Sequence, residues 1–207
     1  MTALDVVELQ AADKAQAAAV WAESFHQYSV MRYIFKDAAT EAEYVTKLKT
    51  IMGYYFDNSI AHGWPVLGVR DGGRVVAALC AIGPNTPETP ASFKELEKTL
   101  LEDIGAAAIE RGEFYDQCTH AHEPKQPHYY VGVLGVANTQ QGSGLAGQLL
   151  KAIHEVSRQD PASEGVCLFT ETESNVGFYQ YMGYEVLANF HVVEGVQSWA
   201  FFRADVE

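Results

Sequence analysis

Residues 128–158 constrain the fold of this chain more than any other stretch. Residues 128–136 are aromatic, β-branched and apolar, and they predict a β-strand between Pro127 and Asn138. Residues 141–146 add two glycines, Gly142 and Gly144, and predict a tight turn. Apolar residues then recur at helical spacing, at Leu145, Leu149, Leu150, Ile153 and Val156. The unpaired amides at the start of such a helix, together with its dipole, favour binding of a phosphate or pyrophosphate.

Several kinds of nucleotide site use a strand, a glycine turn and a helix. A Walker A loop ends in Gly-Lys-Ser/Thr, whereas this turn ends in Gly144-Leu145-Ala146. Residues 142–147 do satisfy the Gly-x-Gly-x-x-Gly dinucleotide pattern, and Glu171 after the next strand is a candidate ribose ligand for an oxidoreductase. That pattern normally opens a domain, however, and too little chain follows here to complete a doubly wound half.

Composition and charge narrow the class of protein. The 207 residues, 48% of them hydrophobic and 20% charged, are ordinary for a soluble globular protein, and we expect one domain over 1–207. The first ten residues lack the basic start of a signal peptide, and Cys80, Cys118 and Cys167 stand singly, so we predict a cytoplasmic protein. A net charge of −13 argues against nucleic acid or an anionic membrane as partner and is compatible with a cationic amine.

The pattern of the whole chain predicts a mixed sheet with helices on both faces, because a β-hairpin is followed by a βαβ crossover. His120 and His122 stand two residues apart among carboxylates. This is not the spacing of a metal site, so we predict no metal and a polar loop over 112–124. The predicted strands are 3–9, 66–70, 74–82, 128–136, 166–170, 184–193 and 197–203, and the predicted helices are 13–27, 41–58, 92–110, 144–158 and 175–182.

A second motif gives the turn a more specific meaning. Gln141-x-x-Gly144-x-Ala146 resembles the Arg/Gln-x-x-Gly-x-Gly/Ala pyrophosphate signature of the GCN5-related N-acetyltransferases (GNAT), which bind acetyl-CoA. Asn175-x-x-Phe178-Tyr179-x-x-x-Gly183-Tyr184 resembles a later element of the same family, with Tyr184 where Phe is more usual. The two motifs begin 34 residues apart, at Gln141 and Asn175, in the order the family has them.

The resemblance implies a fold and a cofactor site. The fold is α/β, with a central mixed sheet of six or seven mostly antiparallel strands and one central parallel pair. Strands 128–136 and 166–170 would be that pair, splayed at a bulge near Gly132 or Gly135. The pantetheine arm of acetyl-CoA would lie in the opening. The implied cofactor residues are Leu134, Gly135, Val136, Gln141, Gly142, Ser143, Gly144, Leu145, Ala146, Asn175 and Tyr179.

The resemblance also implies direct acetyl transfer from acetyl-CoA to the primary amine of a small molecule. Tyr179 would be the general acid that protonates the leaving thiolate. The backbone N–H of Leu134 would stabilise the oxyanion. Candidate acceptor-binding residues are Phe25, Tyr28, Tyr33 and Tyr130. The base stays open among His128, Tyr130, His120, His122, Glu113 and a water relay.

Several points stay open in the sequence. The alternative function is a non-catalytic acyl-CoA-binding or sensor module on the same fold. The identity of the amine and the length of the acyl group are not encoded in any motif. We expect a monomer or a homodimer, with a dimer forming through the last strands, 184–203.

Overall fold

The computed structural model describes residues 4–85, 87–193 and 195–205, with Ser92 described for its backbone alone. These residues form a seven-stranded sheet in the order β1-β2-β3-β4-β5-β7-β6. The strands β4 and β5 are parallel, and the other neighbouring strands of this sheet are antiparallel. The predicted fold class is therefore confirmed. The strands are β1 (Val6–Glu8), β2 (Val66–Asp71), β3 (Arg74–Ile82), β4 (Tyr129–Val136), β5 (Gly165–Thr170), β6 (Glu185–Val193) and β7 (Val196–Ala204).

The helices cover both faces of the sheet. Trp21, Leu48 and Phe56 are fully buried against one face, while Leu149 and Ile153 are fully buried against the other. Each such side chain stabilises the fold by roughly 1.5–3 kcal/mol on burial. The helices are α1 (Lys14–Ser24), α2 (Ser29–Ile34), α3 (Glu41–Ala61), α4 (Ala91–Ile104), α5 (Ala106–His120), α6 (Leu145–Gln159) and α7 (Val176–Tyr181).

The stretch between β3 and β4 differs from its prediction. A single helix was expected over 92–110 and a polar loop over 112–124, but two helices, α4 and α5, run from Ala91 to His120. They meet at Gly105, whose φ of 88° lies in the left-handed region that ends a helix at little cost to glycine. The predicted loop is wrong, and α5 instead brings Tyr115 to Glu171, the residue that follows β5.

The β4 strand joins closely to α1. A Cβ added at Gly135 would lie 2.8 Å from Trp21 Cδ1 and 2.9 Å from Ser24 Oγ, so only glycine lets α1 sit this near. Trp21 Nε1 donates to the Ala78 carbonyl oxygen at 2.8 Å, and Ser24 Oγ donates to the Val136 carbonyl oxygen at 2.8 Å. These contacts fix the helix over the part of β4 that borders the candidate site.

Among the helices of the described residues, none combines the length and the apolar composition that a membrane span requires.

Candidate active site

The glycine turn between β4 and α6 leads into a helix start whose first backbone amides have no intrahelical acceptor. Gly142 and Gly144 have φ values of 76° and 85°, and Gly144 precedes the first residue of α6. Gln148 N donates to the Gly144 carbonyl oxygen at 3.1 Å, so the amides of Leu145 and Ala146 lie in the first turn, before intrahelical acceptors begin. Such a turn is a site for an anion. Ser143 is turned away, since its N–H and its hydroxyl both donate to Gln140 O.

The two central strands separate in the way the family resemblance implies. Residues 129–131 of β4 pair with residues 166–168 of β5, and no pairing continues beyond them in the described chain. On the other side of β4, Val131 pairs with Ala81 and Val133 with Cys80, so Gly132 is the extra residue of a bulge. Gly132 therefore marks the bulge, while Gly135 serves the contact with α1.

The backbone of β4 beyond the bulge faces the gap. Ala137 N donates to the Val76 carbonyl oxygen of β3 at 2.8 Å. Because peptide groups alternate along a strand, the N–H and C=O of Leu134 and Val136 point away from β3 and towards the separated β5. The Val136 carbonyl oxygen already accepts from Ser24, whereas the Leu134 groups border the cavity between the strands.

The helix α7 closes the other side of this gap. The Tyr179 ring is buried against Phe178, Tyr184 and Phe201, with ring centroids 5.3–6.0 Å apart. Its Oη makes no hydrogen bond to another described residue, and because no fully buried side-chain oxygen among those residues lacks a partner, the Oη is open to the cavity that Tyr179 lines. Burial, with a further contribution from the Glu171 charge, raises the pKa of Tyr179 above its ordinary value, so the phenol is protonated at neutral pH. Asn175 makes no side-chain cap, and its Nδ2 donates to Thr170 Oγ1 at 3.3 Å.

A cavity of about 1200 Å³ joins the glycine turn, the gap and a deeper acceptor region. Of the cofactor residues expected from the sequence, all but Ser143 line it. Of the expected acceptor residues, Phe25, Tyr28 and Tyr130 line it, while Tyr33 packs elsewhere against the core and under the Lys36 ammonium. Tyr54, Tyr55, Tyr115, Asp116 and Glu171 line it too.

The acceptor region is acidic and aromatic. Asp116, Glu123 and Glu171 line the cavity, and no Lys or Arg does so in the part of the chain that is described. Burial, together with the Glu113 and Glu123 charges, raises the pKa of Asp116 to about 6. An uncompensated negative potential inside a partly enclosed cleft attracts cations.

Glu171 is held at the end of β5 by groups from three other elements. Tyr115 Oη of α5 donates to Glu171 Oε1 at 2.9 Å, and Ser198 Oγ of β7 donates to the same oxygen at 2.6 Å. The backbone N–H of Glu171 donates to Tyr28 Oη at 3.0 Å. Burial raises the pKa of the Glu171 carboxyl, and the hydrogen bonds, Ser198 first, partly oppose the rise.

Sequence reasoning missed several of these residues. Tyr115 and Asp116 fell in the segment predicted to be a loop, and Glu171 was weighed solely as a ribose ligand. One signal was present for Glu171, because a charged residue directly after a buried strand marks the sheet edge where sites form. Of the candidate bases, His120 and Tyr130 line the cavity, whereas His122, His128 and Glu113 do not.

Comparison with known proteins agrees with this geometry. Residues 105–199 match the family model described as acetyltransferase (GNAT) domain. The histone acetyltransferase HPA2 and related acetyltransferase of Corynebacterium glutamicum has a similar structure, with 17% identity over 100% of this chain and 99% of that one and a TM-score of 0.73.

Two Brucella melitensis structures are similar as well. The ribosomal-protein-alanine N-acetyltransferase has 13% identity over 98% of this chain and 100% of that one, with a TM-score of 0.61. A GNAT family acetyltransferase in complex with acetyl-CoA has 12% identity over 100% of this chain and 91% of that one, with a TM-score of 0.51. At these identities the structural likeness establishes a common fold.

Proposed function

Because residues 105–199 match the family model of the GNAT acetyltransferase domain, we propose that the chain transfers an acetyl group from acetyl-CoA directly to the primary amine of a small cationic molecule. The observation that carries this proposal is the continuity of one cavity. An anion-binding turn opens into the gap between β4 and β5, and the gap leads to an acidic, aromatic chamber. An anionic acyl donor and a cationic acceptor would thus meet at the splayed strands.

The residues around the turn and the gap fit acetyl-CoA. The amides of the first turn of α6 would hold the pyrophosphate, with the α6 dipole supplying the favourable potential in place of a basic side chain. The Leu134 C=O and the Val136 N–H, both directed into the gap, would hydrogen-bond the amide-bearing arm as an added strand does. A related fold with acetyl-CoA bound supports this cofactor.

Two groups of the chain support the chemistry once both substrates are bound. The Leu134 N–H faces the place where negative charge develops on the acyl oxygen, and a fixed donor there stabilises the transition state. The Tyr179 phenol lies across the gap with its proton held at neutral pH and would donate it to the departing sulfur. Holding the two reactants side by side accounts for much of the remaining rate.

The acceptor is proposed to be cationic because of the charge of its chamber. The chamber carries Asp116, Glu123 and Glu171 against no described Lys or Arg, so an ammonium ion is attracted and an anion is repelled. Tyr54, Tyr55 and Tyr130 add aromatic faces, which favour a cation and the methylene groups next to it.

Thiol release from acetyl-CoA tests this function across a panel of monoamines, diamines, polyamines and amino acids. We expect release above the amine-free rate with at least one cationic primary amine, and none with acidic analogues of the same length. Calorimetric binding of CoA without amine-dependent release from any member would instead support the non-catalytic acyl-CoA module.

A further inference from the structure

The attacking amine needs a group that takes its proton, and the cavity offers one carboxylate at the right place. An alkylammonium has no lone pair, and its ordinary pKa of about 10 keeps it protonated at neutral pH. Glu171 follows Thr170, the last residue of β5, and borders the cavity at the same separated strand ends as Leu134 and Tyr179. Its hydrogen-bond partners Tyr28 and Tyr115 line the aromatic part of the cavity that we assign to the acceptor.

The other polar groups of the cavity are less suited to that task. The phenols of Tyr28, Tyr115 and Tyr130 are buried, and burial raises the pKa of each well above its ordinary value, so they hold their own protons. His120 lies at an exposed position and is bound by Glu123 at 3.1 Å. Asp116 lines the cavity with part of its surface still open to solvent, and no side chain among the described residues donates to its carboxylate, whereas Glu171 is enclosed by α5, β7 and the segment between α1 and α2.

The hydrogen bonds of Glu171 orient it for proton uptake. Tyr115 and Ser198 both donate to Oε1, and Oε2, to which neither of them donates, is the oxygen we assign to receive the proton. Tyr28 fixes the backbone just before the side chain by accepting from the Glu171 N–H. Positioning from three separate elements restricts the carboxylate to one orientation, as a catalytic group requires.

We propose that Glu171 is the general base that removes the proton from the acceptor ammonium before the nitrogen attacks the acetyl carbonyl. This inference rests on the proposed acetyl transfer. The N–H bond breaks, its electron pair stays on nitrogen, and the proton moves to the carboxylate, leaving a neutral amine and a neutral carboxyl. Low polarity in the enclosed site drives the transfer, because burial disfavours both the carboxylate and the ammonium relative to their neutral forms.

Tyr115 is a positioning residue in this arrangement, and the pH profile can distinguish its role. Its hydroxyl stabilises the ionised form of Glu171, so it lowers the pKa of the base against the larger effect of burial. The negative charge of Glu171 raises the pKa of four nearby tyrosines, and all four are protonated at neutral pH. They are Tyr28, Tyr115, Tyr130 and Tyr179. Asp116, whose pKa is raised to about 6, also titrates in this range but acts on the KM for the amine. The acid limb of the kcat profile at saturating amine therefore reports Glu171.

The test compares wild type with Glu171→Gln, Tyr115→Phe and a control, Glu110→Gln, which removes an exposed charge from α5 away from the cavity. Steady-state rates with the best amine are measured from pH 5 to 9, along with calorimetric binding of CoA. We expect Glu171→Gln to lower kcat about a hundredfold, since general base catalysis contributes about 10²–10⁴. Its acid limb should disappear while CoA binding stays within about twofold of wild type. Tyr115→Phe should move the limb to higher pH, and Glu110→Gln should change neither.

The outcomes separate the two proposals. If wild type is active and Glu171→Gln keeps both its kcat and its acid limb, the assignment of Glu171 as the base is wrong. The proposal of acetyl transfer is not affected by that result. A wild type that releases no thiol with any amine overturns both. A Glu171→Gln variant that loses rate but keeps the acid limb shows a structural effect of the substitution and also overturns the assignment.

Discussion

Tyr179→Phe removes one hydroxyl from the cavity and leaves the rest of the side chain in place. The ring keeps its contacts with Phe178, Tyr184 and Phe201. The lost Oη has no hydrogen-bond partner among the described residues, so no buried group of the protein is left unpaired. We therefore expect a change of at most about 0.5 kcal/mol in the free energy of unfolding, or about 1–2 °C in Tm for a chain of this size.

The effect of Tyr179→Phe on turnover should be much larger than its effect on stability. A general acid contributes about 10²–10⁴, but a thiol with an ordinary pKa near 8.5 is already a fair leaving group, so the lower end applies. We expect kcat to fall about tenfold to a hundredfold with the KM for acetyl-CoA within about twofold of wild type.

The assay is thiol release at saturating acetyl-CoA, with Tm followed by calorimetry. Tyr181→Phe is the matched control, since Tyr181 lies on the same helix and is 86% exposed. An unchanged kcat in Tyr179→Phe would remove Tyr179 from the chemistry. A fall in kcat that Tyr181→Phe matches, or that comes with a large loss of Tm, would equally contradict the assignment.

Three further predictions test other parts of the account. Gly144→Glu should abolish calorimetric binding of CoA, because φ is 85° there and the new carboxylate repels the pyrophosphate; normal affinity would refute the turn as its site. Asp116→Asn should raise the KM for a cationic amine at pH 7.5 but not at pH 5. The reason is that the pKa of Asp116 is raised to about 6, so its negative charge is present only above that pH. Equal changes in KM at both pH values would argue against a contribution of this charge to amine binding. Burial, with the Arg203 charge, lowers the pKa of His154 to about 4, so the unfolded chain takes up a proton from pH 6.5 downwards that the folded chain refuses. Denaturant unfolding should therefore show wild type losing up to about 3 kcal/mol more stability than His154→Gln between pH 7.5 and 4, and parallel losses would refute it.

The parts of the fold that were predictable have local signals. The hairpin of β2 and β3 follows from Asp71-Gly72-Gly73 between apolar runs, and the turn before α6 follows from its glycines. The helix α6 has a continuous apolar stripe because its inner face rests on the sheet. Each of these features is determined by residues close together in the sequence.

The helix α5 was not predictable in this way. Its residues Tyr115, Asp116 and His120 border an open cavity, so no apolar stripe marks the inner face. Amphipathic patterns report burial against a core, and a helix whose inner face borders a cavity gives no such pattern. The prediction of a polar loop recognised the polarity of the segment and misjudged its backbone.

The parts of the candidate site that are formed by local backbone motifs were predictable. The parts that depend on side chains from distant segments of the chain were not. The turn, the bulge at Gly132 and the position of Tyr179 follow from motifs within one stretch of chain. Glu171 depends on Tyr28, Tyr115 and Ser198, which are 143, 56 and 27 residues away in the sequence. No local pattern predicts that these side chains meet.

The most direct measurement is mass spectrometry of the products from acetyl-CoA that carries a ¹³C-labelled acetyl group, incubated with the purified protein and a cationic primary amine. The account predicts labelled N-acetylated amine in amounts equal to the free CoA formed, with none when the amine is omitted. Labelled acetate without acetylated amine, or unchanged acetyl-CoA with every amine tested, would contradict it.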